Sequence, residues 1–143
     1  MRIALTGHRP QRLGLLNDER SEDWKHIKDW LYGMLTIAAC VEPTDIYSGM
    51  ASGSDTLLAL TAIQMKKNGI NMRLHCVLPC KNYNATNEYY NEIKTSADEW
   101  IELSDEFYKG CDNVRDQYLV NHLPYGIKRN LAACGLQCGK LKK

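Results

Sequence analysis

Two stretches of this chain combine residue types that hold anions. Thr6-Gly7-His8-Arg9-Pro10 sets a histidine and an arginine beside a glycine turn. An arginine just past a strand end pairs bidentately with phosphate. Ser48-Gly49-Met50-Ala51-Ser52-Gly53-Ser54-Asp55 carries two glycines and three serines. Glycine lets backbone N–H groups come close to a ligand, and a helix start adds unpaired donors with partial positive charge. Ser48, Ser52 and Ser54 add hydroxyls, while Asp55 caps the helix or holds a ribose hydroxyl or an amine. The same residues also suit a tight, well-capped strand-to-helix turn. Their spacing is neither that of a P-loop nor G-x-G-x-x-G.

Further groups belong to the same chemistry by position. Asp105 and Tyr108 precede a helix that carries Arg115, which is expected to reach the cleft; Tyr108 either stacks on a base or packs. Lys81, Asn82 and Tyr83 fall at the rim. Cys76-x3-Cys80 and Cys134-x3-Cys138 supply four thiols, but at wider spacing than zinc knuckles use, so no metal and no cofactor is assigned. A Cys80 pairing with His8 or His122 has nothing in the sequence to fix its geometry.

The elements that must position these residues alternate. Arg2 to Leu5 reads as a strand, and Thr6 to Arg20 as a loop. A helix starts with Ser21 as N-cap and shows Trp24, Ile27, Leu31, Leu35 and Ala38 on one face. Asp45 to Tyr47 is a strand. The next helix buries Leu57, Leu58, Thr61, Ala62 and Met65 and stops at Asn68-Gly69. Met72 to Leu78 is a strand, about 86–97 a helix, and Trp100 to Leu103 a strand. Asp112 to Val120 is a helix with Val114, Tyr118 and Leu119 turned inward. Trp24, Trp30, Trp100, Met34 and Met65 read as packing residues.

Four β-loop-α units imply a single α/β, Rossmann-like domain over 1–123, an open, mostly parallel sheet with helices on both faces. Ligands of such sheets bind beyond the carboxyl ends of the strands. Residues 124–143 have five basic and no acidic residues; they read as a basic tail with no clear strand.

Length and composition narrow the class. The chain has 143 residues, 44% of them apolar and 24% charged, which suits one folded domain and not a disordered chain. Eighteen basic against seventeen acidic residues leave a net charge of +1. That balance disfavours a protein whose main work is coating nucleic acid. There is no signal-peptide pattern and no run of 18 apolar residues, so the expected location is cytoplasmic, away from membranes, with free thiols.

On these residues the sequence resembles the SLOG superfamily, and within it the YpsA/YoqJ-like branch. The resemblance rests on the two motifs above, in that order, on Leu78-Pro79-Cys80-Lys81-Asn82, and on Ser104-Asp105 with Tyr108, Gly110-Cys111 and Arg115. It spans roughly residues 1 to 122. It implies a nucleotide or nucleotide-derived ligand over the strand ends, contacted by Thr6, Gly7, His8, Arg9, Ser48, Gly49, Ser52, Gly53, Ser54, Asp55 and Arg115. It also implies a bacterial or phage protein, with a homodimer as the expected assembly. The family's Gly-Gly-Thr loop is missing, as is the Glu-bearing loop of LOG-type hydrolases, so binding without catalysis is the leading expectation. A LOG-type nucleotide N-glycosidase and a DprA-like nucleic-acid or protein-binding module are the alternatives.

Overall fold

The computed structural model describes residues 1–7, 9–122 and 136–138, the side chains of 6–7 and 136–138 excepted. Strands β1 (Arg2–Gly7), β2 (Thr44–Ser48), β3 (Met72–Leu78) and β4 (Glu99–Glu102) are parallel neighbours in the order β4-β3-β2-β1. Helices α1 (Pro10–Leu13), α2 (Lys25–Val41), α3 (Ser54–Lys67), α4 (Tyr90–Ser96) and α5 (Cys111–His122) lie between and after them. The α/β, Rossmann-like architecture expected from the alternation is the one observed.

Successive parallel strands step one place in the same direction. Right-handed crossovers therefore put their connecting helices on one face. Alternation along the strands serves both faces. Leu5, Ile46, Leu74, Cys76 and Leu78 join the large core under α2, α3 and α4. Ala4, Tyr47 and Val77 turn the other way and pack with Leu119 of α5.

Central α3 is apolar on most of its circumference, as a helix covered on several sides must be. Besides the five expected residues it buries Ala59, Leu60 and Ile63. Trp24, in the turn before α2, and Leu31 and Leu35 within it are buried as expected. Met34 is not: it is exposed with Ile37 and Val41. Ser21 precedes a 3-10 turn (Glu22–Trp24) but makes no capping hydrogen bond through its side chain.

Several boundaries differ from the sequence reading. β1 runs on through Thr6 and Gly7, which were expected in a loop, because both pair with a short antiparallel strand β5 (Leu136–Cys138). The tail shows no clear strand in its sequence; a partner at the other end of the chain leaves no local pattern. The third helix is shorter than 86–97, since turns occupy the residues before Tyr90. In α5 the expected Val114 is exposed, and Arg115 is buried with Cys111 and Leu119.

Candidate functional site

Because β1, β2 and β3 are adjacent, the loops at their carboxyl ends meet at one rim. Arg9 is exposed and donates from Nη2 to the Tyr83 hydroxyl at 3.3 Å. Tyr83, on the loop after β3, also lies under the Arg115 guanidinium, 5.8 Å from its ring centroid. The next residue, Asn84, donates to the Met50 carbonyl at 3.0 Å and to Ser52 Oγ at 3.1 Å. Asn87 donates to the same hydroxyl at 3.4 Å. Three non-glycine residues here, Met50, Asn82 and Asn84, adopt φ near +60°. Backbone in that region carries strain and concentrates at ligand sites.

One end of the β2–α3 loop is closed by a cation. Arg115 Nη1 donates to the Gly49 carbonyl at 2.7 Å, and Nε donates to Asp116 at 2.8 Å. A Cβ at position 49 would lie 2.8 Å from Arg115 Nη1 and 2.9 Å from Asp55 Oδ2, so glycine is required by close approach. Burial works against the Arg115 charge, but Asp55 and Asp116 outweigh it and keep it above its usual value. Burial pushes the Asp55 carboxyl up to about 6, against the pull of Arg115. Ser48 organises the same end: its hydroxyl donates to the Asp55 carbonyl at 2.8 Å and accepts from Met50 N–H at 3.3 Å.

The other end is closed by an anion. Gly53 N–H donates to Glu19 Oε1 at 2.7 Å. Glu19 is 1% exposed, and its Oε2 has no hydrogen-bond partner among the described residues. Gly53 itself has φ 95° and ψ −125°, a conformation open essentially to glycine alone. Glu19 also lines a cavity of about 210 Å³ with Asn17, Ser52, Asn84, Asn87 and Tyr89. The Tyr89 hydroxyl donates to Asp18, and the Arg20 guanidinium stacks on its ring at 4.8 Å.

The expected residues thus divide. Arg9 bonds Tyr83 and Ser52 bonds Asn84, so adjacent residues of the loop after β3 hold one each. Three of the loop amides expected to cradle phosphate are already bonded: Met50 to Ser48, Ala51 to Asp55 at 3.4 Å, and Gly53 to Glu19. Asp55 faces Arg115 and not the cavity. Thr6 and Gly7 are in the sheet ladder. Ser54 is buried at the start of α3. Asp105 and Tyr108 are exposed. His8 and Cys134 lie outside the described residues.

Among the cysteines, Cys40, Cys76, Cys80 and Cys111 are free. Burial pushes the Cys76 thiol up to about 12, far from a thiolate ligand or nucleophile.

Sequence reasoning missed Glu19, Asn84 and Asn87. The Asn82-Tyr83-Asn84 pattern did hold a signal, since asparagine tolerates the left-handed region. Nothing in Asn17-Asp18-Glu19-Arg20 marks one carboxylate as buried. No helix among the described residues is long and apolar enough to cross a membrane. Compared with models of known protein families the chain matches none, and it matches no curated protein.

Proposed function

We propose that this chain binds a nucleotide or nucleotide-derived small molecule at the carboxyl-end rim of its sheet, without turning it over. The reading is supported most by one observation: three strand-to-helix loops meet at one rim, where exposed Arg9 of the first bonds Tyr83 of the third and Ser52 of the second bonds Asn84 beside it. Among the described residues Arg9 has no ion-pair partner, so its guanidinium is available for a phosphate. The amides of Met50, Ala51 and Gly53 already have acceptors, which gives Arg9 the larger share of phosphate binding. The SLOG resemblance supports the same ligand class.

Isothermal titration of the full chain with nucleoside monophosphates, diphosphates and cyclic nucleotides tests this. Heat is expected from at least one class, and Arg9→Ala is expected to weaken binding about tenfold or more, as loss of a charge-assisted hydrogen bond does. Absence of heat from every class, with folded protein, rejects the reading. A homodimer belongs to the same reading and is checked by sedimentation; a monomer at all concentrations removes it.

A LOG-type N-glycosidase has one observation in its favour, the buried carboxylate of Glu19 at the cavity wall. Release of free base from a nucleoside monophosphate would mark turnover. Its absence after long incubation leaves the binding function alone.

A further inference from the structure

We infer that Cys80 and Cys111 are an oxidation site: a buried pair of thiols that hydrogen peroxide converts to an intramolecular disulfide, joining the loop after β3 to the start of α5. The inference stands apart from the nucleotide reading and uses residues which that reading leaves idle.

The pair is a product of the topology. Cys80 follows β3, which ends at Leu78, and Cys111 is the first residue of α5. Lys81 N–H donates to the Ser104 carbonyl at 2.8 Å, which ties the loop after β3 to the loop after β4. Gly110, with φ 93°, turns the second of these loops into α5. The Cys80 and Cys111 thiols are thereby in hydrogen-bonding contact. Both are free, with Cys80 4% and Cys111 1% exposed. The other free cysteines are placed elsewhere: Cys40 is exposed on α2, and Cys76 lies inside β3 in the large core.

Enclosure selects the oxidant and the rate. Hydrogen peroxide is close to water in size, so it suits thiols that larger oxidants do not reach. Burial, and next the Cys111 thiol beside it, hold the Cys80 thiol above its ordinary value. Thiolate is the reactive form, so oxidation here is slow. Cys80, the less enclosed of the two, reacts first. Its sulfur attacks one peroxide oxygen, the O–O bond breaks, and the departing hydroxide takes the thiol proton and leaves as water. Cys80 is then a sulfenic acid. The Cys111 sulfur attacks the Cys80 sulfur, the S–O bond breaks, and its oxygen leaves as a second water with the Cys111 proton. Two thiols and one peroxide give one disulfide and two waters; the sulfurs lose the two electrons that the peroxide gains.

The crosslink fastens backbone that carries two rim residues. Tyr83 N–H donates to the Cys80 carbonyl at 3.3 Å. Arg115 follows Cys111 by about one helical turn, and its guanidinium lies over the Tyr83 ring.

The test treats the full-length folded protein with excess hydrogen peroxide, alkylates remaining thiols in denaturant and maps tryptic peptides by mass spectrometry. The expected product has lost two hydrogens and joins the peptide 74–81 to the peptide 110–115. Fragmentation is expected to place the bond on Cys80 and not on Cys76, and dithiothreitol to reverse it. Cys80→Ser and Cys111→Ser are each expected to lose the crosslink. Absence of a crosslink from the folded parent, or a crosslink on any other pair, overturns the inference without needing a variant to fold. The same treatment in urea is expected to scatter the pairing; an equal yield of the Cys80–Cys111 bond there would show that the fold does not select it, and would overturn the inference too. None of these outcomes bears on nucleotide binding.

Discussion

The β2–α3 loop is held at its two ends by opposite charges, and the two ends differ in how completely those charges are met. At Gly49 a buried guanidinium donates to the loop carbonyl and is flanked by Asp55 and Asp116. The guanidinium there has a carboxylate on either side, and glycine is needed because the side chains fill the space. At Gly53 a buried carboxylate accepts from the loop amide, has one oxygen without a partner among the described residues, and belongs to a residue that borders a cavity. The first end surrounds its cation with acceptors and carboxylates, and the second leaves its carboxylate with a single donor among the described residues. A buried charge with all its partners rigidifies, whereas a half-satisfied one is costly unless a ligand completes it.

The comparison can be broken by removing the cation. Arg115→Met leaves Asp55 and the Gly49 carbonyl uncompensated and is expected to cost about 3–5 kcal/mol in urea unfolding. A cost below about 1 kcal/mol would show that the first end is not the structural one.

The next largest effect is a pH dependence. The ordinary carboxyl value of 3.8 rises to about 6 for Asp55 in the fold, chiefly by burial. Between these values the folded chain holds a proton that the unfolded chain has released. Stability from this group is therefore fully present below about pH 4, falls as pH rises toward 6, and is flat above. Asp55→Asn should match the parent near pH 4 and exceed it at pH 8 by up to about 3 kcal/mol. Thermal melts across that range check it, and an advantage independent of pH would contradict the assignment.

Gly53→Ala forces a side chain into φ 95°, ψ −125° and is expected to cost about 1–3 kcal/mol. It should also displace the Gly53 N–H from Glu19, so ligand affinity should fall beyond what Gly49→Ala causes at similar stability. Equal losses in the two variants would erase the contrast between the ends. The smallest stability effect is that of Arg9→Ala. Arg9 is exposed, so the change should stay within about 0.5 kcal/mol while nucleotide affinity drops.

Much of this was legible beforehand. The alternation of strands and helices gave the architecture, since Met72–Leu78 and the buried face of α3 are written locally in apolar residues. The meeting of the first two loops followed from β1 and β2 being neighbours. In α5 the reading inverted: hydrophobicity favours burying Val114, yet Arg115 goes inside because Gly49 and Asp55 offer it partners. Glu19 was overlooked for the same reason. Its burial depends on an amide 34 residues away, and no local pattern encodes that distance.

By itself the sequence determined which segments become strands and helices, and which loops carry the glycines and hydroxyls at the strand ends. Periodicity and turn chemistry act between near neighbours, so they can be read along the chain. Only the tertiary structure decided which charges those loops enclose, because the energy of burying a charge depends on partners brought in from other elements. It placed Arg115 against Gly49, set Glu19 against Gly53, and left one oxygen of that carboxylate without a partner among the described residues.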